Sequence, residues 1–229
     1  MAETRNRPGI DGRSTRWNAH KAQRQADLLD AALAAIAEQG PEVGVKQIAE
    51  RMGLPRSVVY RHFKDRADLD ELIRQRVMDS LMAELAPALE PDGTVISSIR
   101  RAVDAYLGWI AAHPRWHAFL GAGAQGPGRG SRAVKGTKAA IEVRTGDVFA
   151  DLLGAFGKDT GLASSIASGL VGFVDASVNN WLAGKANALS ADELAQFLTR
   201  SIWSVLDGSL RMAGVEIDPD HPVADLPVS

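Results

Sequence analysis

Hydrophobic residues recur every three or four positions along almost the whole chain, which is the spacing of amphipathic α-helices. No stretch shows the apolar and polar alternation of a half-buried β-strand, and no internal repeat is present. The pattern therefore predicts an all-α protein.

The first four predicted helices follow one another closely. A first helix stops near Gly40, and a second, short helix spans about 45–52. Gly53 then suits a tight turn that needs a positive φ. The segment LPRSVVYRHFKDR follows at residues 54–66, and Asp65 is a good N-cap for a fourth, leucine-rich helix.

Five more helices are predicted in the remainder of the chain. One ends before Pro114, and a short helix opens at that proline. The glycine-rich stretch GAGAQGPGRGS separates it from a long helix. The last two long helices are expected over roughly Leu162–Ala183 and Ala191–Ala213, the second of them opened by the capping box Ser190-x-x-Glu193.

Apolar and basic side chains are expected on opposite sides of the helix within residues 54–66. Val59 and Phe63 are four positions apart and are predicted to pack, with Ile48 and Met52, against the first helix. This arrangement would leave Val58 and His62 at the margins of the buried face. The side chains expected to face solvent are Arg56, Ser57, Tyr60, Arg61 and Lys64.

The charge distribution adds to this picture more than the net charge of −2 does. Residues 1–24 hold six basic and two acidic side chains, and residues 46–66 hold the same numbers. Two local basic patches in an otherwise acidic chain favour a nucleic-acid surface, although a solvated charged face would account equally well for the charge alone.

Composition excludes several classes of protein and site. The chain has no cysteine, which excludes disulfides and Cys-ligated zinc. It has no apolar run of about 18 residues, so no membrane span is expected. The polar, basic N-terminus is unlike a secretory signal, and a cytoplasmic protein is expected.

A helix with this arrangement fits the major groove of DNA, where residues near its N-terminus reach base edges. Arg56 could pair with a guanine, Ser57 could donate or accept, and Val58 could touch a thymine methyl group. Phosphate contacts are assigned to Tyr60, Arg61, His62, Lys64 and Arg66, and Lys46 of the second helix is a further DNA-binding candidate.

The stretch VKQIAERMGLPRSVVYRHFKDRADLDELI resembles the tetracycline-repressor (TetR) family of transcriptional regulators. The family pattern is a helix-turn-helix that ends in Tyr-x-His-Phe, followed by a basic residue and a leucine-rich fourth helix. The match covers about residues 27–73. It departs from the pattern at Gly44, where many members have a threonine that caps the second helix and binds phosphate. It departs also at Pro55, which replaces a serine-like cap, and at Arg66, where lysine is commoner.

The resemblance implies a domain organisation: a basic flexible arm over 1–16, a helix-turn-helix DNA-binding domain over 17–66, a ligand-binding and dimerisation domain over 67–215, and a frayed tail over 216–229. It implies a homodimer joined through the last two long helices and a palindromic double-stranded operator as partner. A small hydrophobic effector would release the repressor from DNA, although in some members the effector strengthens binding. No cofactor and no membrane partner are implied.

The candidate effector site combines aromatic residues of the C-terminal helices with a few polar side chains. The aromatic candidates are Trp109, Trp116, Phe119, Phe149, Phe156, Phe173 and Trp181, and the polar candidates are Tyr106, His113, His117, Asp175 and Asn179. A lining as apolar as this would suit a lipid-like effector, for example one with an acyl chain. Alternatively, the same aromatic residues could be part of the ordinary hydrophobic core. Gly169 and Gly172 would permit close helix approach in a dimer, or equally relieve crowding within one subunit.

Other functions find less support in the sequence. GAGAQG matches G-x-G-x-x-G at Gly121, Gly123 and Gly126, but it follows a helix rather than a strand and is interpreted as a loop. His113, His117 and Asp175 could bind a metal, but Pro114 interrupts the spacing and no metal site is assigned. No catalytic residues can be assigned, so an enzyme is the least favoured alternative, after a DNA-binding dimer that responds to no effector.

Overall fold

A computed structural model of the chain describes residues 12–122, 130–184 and 189–227. Within these residues the backbone forms nine α-helices and no strand, which confirms the all-α prediction. They are α1 (Gly12–Gln39), α2 (Val45–Arg51), α3 (Arg56–Val59), α4 (Arg66–Ala88), α5 (Val95–Ala112), α6 (Pro114–Gly121), α7 (Arg132–Ala155), α8 (Ala163–Leu182) and α9 (Ala191–Met212). None of the helices in the described ranges is long and apolar enough to cross a membrane.

The first helix starts earlier than the sequence suggested. Residues 12–16, expected to belong to a flexible arm, are helical, and the prediction is wrong there. The remainder of the predicted arm, residues 1–11, lies outside the described residues, as do Gly123 and Gly126 of the glycine-rich loop.

Helix α4 connects the N-terminal helices to the rest of the chain. Its N-cap is Asp65, whose carboxylate accepts a hydrogen bond from the amide of Asp68 at 2.8 Å, as predicted. Leu69 and Ile73 are fully buried and belong to one hydrophobic core that extends from α1 to α9. A shift of α4 would therefore disturb the packing on both sides of it.

The C-terminal helices surround α4 in two pairs. Helix α5 packs on α4 and α9, and α7 packs on α4 and α8. The short α6 lies against α1 and α4. Helices α8 and α9 contact each other little, and each has exposed positions along its length.

Side-chain caps define the starts of α5 and α9. Thr94 and Ser97 form a reciprocal cap on α5, and the predicted box of Ser190 and Glu193 is confirmed on α9. The hydrogen bonds from Ser190 hold the pKa of the Glu193 carboxyl below its ordinary value.

The C-terminal segment is ordered against the bundle, so the prediction of a frayed tail is wrong over the described residues 216–227. The first amides of α5 have no acceptor within the helix. Those of Val95 and Ile96 donate instead to the carbonyls of His221 and Pro219, at 3.1 and 2.9 Å. Ile217 is buried in a second hydrophobic cluster that also holds Phe149. The tail therefore holds the ends of α5, α7 and α9 together.

We expect Ile217→Ala to lower the free energy of unfolding by about 2–4 kcal/mol, because it leaves a cavity in the second cluster. Denaturant unfolding followed by circular dichroism measures this change. Val223→Ala, at a half-exposed position in the same segment, is the matched control and should cost under about 1 kcal/mol. Equal small losses for the two variants would show that the tail contributes no packing energy.

Candidate nucleic-acid interface and four-helix polar cluster

Gly53 makes the turn between α2 and α3 possible. Its φ is +64°, which confirms the predicted need for a positive φ. The amide of Leu54 then donates to the carbonyl of Ala49 at 2.9 Å, closing the end of α2. Ala49 is buried between the helices, and Pro55 occupies the N-cap of α3.

The basic segment is pinned to the domain by two side chains. Val59 is 1% exposed and Phe63 is 3% exposed, and both join the core that contains Ile48. The α-helix itself is shorter than predicted. It ends at Val59, and the amide of His62 donates to the carbonyl of Val59 at 2.9 Å in a tighter turn. This turn still carries Phe63 inward.

The polar side of the segment faces outward as predicted. Tyr60 is 44% exposed, although it is one of the larger apolar side chains of the region. Val58 and His62 lie at the margins and are half-buried. Four further positions are exposed, namely Arg56, Ser57, Arg61 and Lys64.

Ion pairs within the domain divide the cations into two groups. Arg51 binds Glu38 of α1 through two hydrogen bonds, which hold the pKa of that carboxyl below its ordinary value. Lys46 lies 3.6 Å from Glu50, in a pair so exposed that it contributes little. In the described part of the chain, no acidic side chain pairs with Arg56, Arg61 or Lys64. The surface of α3 therefore has positive charge that the domain itself does not neutralise.

The expectation that Arg66 contacts phosphate finds no support in its surroundings. Its guanidinium donates to Asp70 at 2.8 Å and to the carbonyl of Val43 at 2.8 Å. The first bond lies within α4, and the second holds α4 to the loop before α2. Arg66 is thus committed to a structural role.

His62 has an unusual environment for a surface histidine. Its Nδ1 atom is buried and has no hydrogen-bond partner among the described residues. Burial lowers the pKa of the imidazole, and the nearby charges of Lys21 and Arg24 on α1 lower it further. The ring is therefore held neutral. Because Lys21 and Arg24 belong to α1, their effect on His62 places α1 next to the basic segment.

The predicted effector residues do not form a single lining. Phe149 and Phe156 pack in the second hydrophobic cluster with the C-terminal tail, apart from the main core that holds Trp109 and Phe119. The expectation that one pocket is lined by all of them is therefore wrong for Phe149 and Phe156.

Other predicted effector residues are occupied by contacts within the chain. The indole of Trp109 donates to Ser80 at 3.2 Å, and that of Trp181 donates to the carbonyl of Leu189 at 2.8 Å. His113 stacks on Trp116 with ring centroids 4.2 Å apart. Three more are engaged with neighbours: Phe119 lies under the guanidinium of Arg74, Phe173 touches Phe197, and Asn179 donates to the carbonyl of Asp175.

Three of the predicted polar residues do come together, with a fourth that the sequence did not reveal. We call the set Tyr106, His117, Lys138 and Asp175 the four-helix polar cluster, since α5, α6, α7 and α8 each supply one member. Lys138 donates to Asp175 at 2.7 Å. Burial raises the pKa of Tyr106 and lowers that of His117, and the negative charge of Asp175 acts upward on both pKa values, which places Asp175 near both side chains. No spacing in the sequence distinguishes Lys138 from the other lysines of α7.

Comparisons with known proteins agree with this geometry. The family described as "Bacterial regulatory proteins, tetR family" matches residues 28–86, which run from α1 through most of α4. An uncharacterized HTH-type transcriptional regulator of Mycobacterium tuberculosis is 28% identical over 205 residues, covering 89% of this chain and 86% of that protein. The HTH-type transcriptional activator FasR of Mycolicibacterium smegmatis is 30% identical over 89 residues, covering 38% of this chain and 41% of FasR.

Solved structures show the same fold. A tetR-family transcriptional regulator from Streptomyces coelicolor superposes with a TM-score of 0.68 at 20% identity, covering 90% of this chain and 94% of that chain. A putative TetR-family transcriptional regulator from Rhodococcus superposes with a TM-score of 0.62 at 20% identity, covering 81% of this chain and 99% of that chain. Residues 28–86 of this chain therefore match the tetR family of bacterial regulatory proteins, and the chain has the helix-turn-helix and the all-α fold of TetR-type transcriptional regulators.

Proposed function

We propose that the protein is a homodimeric repressor that binds a palindromic operator and is released by a small hydrophobic effector. One observation carries the DNA-binding part of this proposal. The segment after Gly53 buries Val59 and Phe63 on one side and presents Arg56, Arg61 and Lys64, with no acidic partner among the described residues, on the other. A polyanion would supply the missing negative charge.

The position of each side chain along the segment suggests its role on DNA. Arg56 and Ser57 stand at the exposed N-terminus of α3, from which recognition helices reach base edges, and Val58 is beside them. Tyr60, Arg61 and Lys64 follow in the turn, where a phosphate backbone would pass. Lys46 at the start of α2 and His62, with Lys21 and Arg24 nearby, extend the same surface.

The proposed dimer uses the outer faces of α8 and α9. A Cβ atom added at Gly169 or Gly172 would meet no other atom within 4 Å, so crowding inside the subunit does not require either glycine. Glycine in a helix costs roughly 1 kcal/mol relative to alanine. The presence of two destabilising glycines on one exposed face of α8 is explained if the helix of a partner subunit approaches closely there.

Helix α9 supplies the apolar part of the same proposed interface. Phe197, Val205 and Met212 are exposed, and Met212 is 81% exposed. A shallow groove beside Phe197 is lined by Glu193, Gln196, Arg200, Ser201 and Ser204. Exposed large hydrophobic residues on one helix face are typical of a protein interface. Dimerisation would also place two α3 helices on successive major grooves, about 34 Å apart.

Helix α6 is the element best placed to couple an effector to the DNA-binding domain. Arg115 donates to the carbonyls of Ala37 and Glu38 in the last turn of α1, at 2.7 and 2.5 Å. The indole of Trp116 donates to the carbonyl of Leu33 at 2.9 Å. The next residue, His117, belongs to the four-helix polar cluster. A ligand that moves α6 would thus shift α1, and the spacing of the two α3 helices with it.

The operator proposal can be tested by selecting duplexes from a random library with the purified protein. We expect a palindromic sequence to be enriched. Enrichment of single, non-repeated half-sites would contradict the dimer, and no enrichment at all would contradict specific DNA binding.

We expect Arg56→Ala to weaken binding to the selected duplex by about 1–3 kcal/mol and to relax the preference at one base pair of each half-site. Arg61→Ala should weaken binding to selected and scrambled duplexes alike, and lower the salt dependence by about one counterion per subunit. Fluorescence anisotropy at several salt concentrations measures both effects. If the two variants change specificity equally, the proposed division between base and phosphate contacts is wrong.

We expect Gly172→Leu to weaken the dimer by about 1–3 kcal/mol through overpacking at the interface. Leucine is a better helix former than glycine, so the subunit itself should not lose stability. Sedimentation equilibrium measures the dimer, with Gly136→Leu on α7 as the control, because a Cβ there also meets nothing within 4 Å. Unchanged dimerisation of the Gly172 variant would exclude this face of α8.

A further inference from the structure

The four-helix polar cluster contains one ion pair and two further polar side chains. Lys138 and Asp175 form an ion pair at 2.7 Å, and about a third of each side chain remains exposed. The carboxylate and the ammonium neutralise each other. A charged ligand would have to compete with one member of the pair while being repelled by the other.

The other two members of the four-helix polar cluster are uncharged near neutral pH. Burial raises the pKa of the Tyr106 hydroxyl, and the charge of Asp175 raises it further, so the phenol keeps its proton. Burial lowers the pKa of His117, Asp175 raises it, and Lys138 lowers it, with burial the largest effect. The imidazole is therefore mainly neutral as well.

Both uncharged groups have hydrogen-bonding capacity to spare. Among the described residues, neither the Tyr106 hydroxyl nor the His117 ring has a hydrogen-bond partner. The phenol can donate and accept, and a neutral imidazole does the same through its two nitrogens. Tyr106, Trp116, Phe173 and Val174 also pack on the hydrophobic core, so apolar surface adjoins these polar groups.

We propose that the effector presents an uncharged hydrogen-bonding group, such as a hydroxyl, ketone or amide on an apolar body, to Tyr106 and His117. This inference rests on the proposed function and narrows its effector class. The Lys138–Asp175 pair keeps the cluster neutral and disfavours both carboxylate and ammonium ligands. The group enters with its hydrogen bonds satisfied, and no uncompensated charge is buried.

Three ligands with one alkyl chain and different head groups test the proposal: decanol, decanoate and decylamine, each titrated into the full-length protein by calorimetry near neutral pH. We expect decanol to bind at least about tenfold more tightly than the other two, which must desolvate a charge. Tyr106→Phe should lower the affinity for decanol about fivefold, because one hydrogen bond is lost.

Two charge-neutralising variants provide the sharper test. Asp175→Asn leaves Lys138 without its acidic partner, so the protein should bind decanoate at least about tenfold more tightly than before. Lys138→Gln leaves Asp175 without its basic partner, and the affinity for decylamine should rise by a similar factor. Variants that only loosen the fold would weaken all three ligands together, and their unfolding temperatures provide a check on this.

The neutral-effector proposal is overturned if decanoate or decylamine binds the unmodified protein as tightly as decanol, if none of the three binds, or if Asp175→Asn leaves the affinity for decanoate unchanged. The duplex selection is independent of these titrations. A protein that selects a palindrome but binds no alcohol would refute only the effector class. A protein that enriches no duplex would refute the repressor proposal whatever the titrations show.

Discussion

The burial of Val59 and Phe63 is the interaction on which the DNA-binding surface depends. The helix that ends at Val59 has only four residues, far too few to be stable alone in water. Packing against Ile48 and the first helix supplies what local hydrogen bonding cannot. Because the two apolar side chains can reach the core in only one orientation, the same contact determines that Arg56 and Arg61 point away from the domain.

A second constraint is the distribution of carboxylates over the domain. Glu38 binds Arg51 and so joins α1 to α2, while Arg66 binds Asp70 within α4 and the carbonyl of Val43 in the loop before α2. Six cations of equal formal charge in residues 46–66 thus have two different uses. Arg51 and Arg66 hold elements of the domain together and Lys46 pairs only weakly within α2, while Arg56, Arg61 and Lys64 remain available for a phosphate backbone. Without this division the domain would be either less stable or less able to attract DNA.

The sequence predicted features that depend on nearby residues and missed those that depend on distant ones. The caps at Asp65 and Ser190 and the turn at Gly53 are local, and the structure confirms them. The tail could not be recognised because its partners are the free amides at the start of α5, far away along the chain. For the same reason the bond of Arg66 to the carbonyl of Val43 could not be foreseen, whereas its pairing with Asp70, four positions later on α4, follows from the helical spacing of the two residues. The family assignment was accessible from the sequence because its signature lies within one continuous segment.

The most direct measurement of the central claim is a crystal structure of the protein bound to its selected duplex. We predict that Val59 and Phe63 stay buried while the Arg56 guanidinium lies within about 3.2 Å of a base edge in the major groove. A complex in which α3 lies outside the major groove, or in which either apolar side chain moves into solvent, would contradict it.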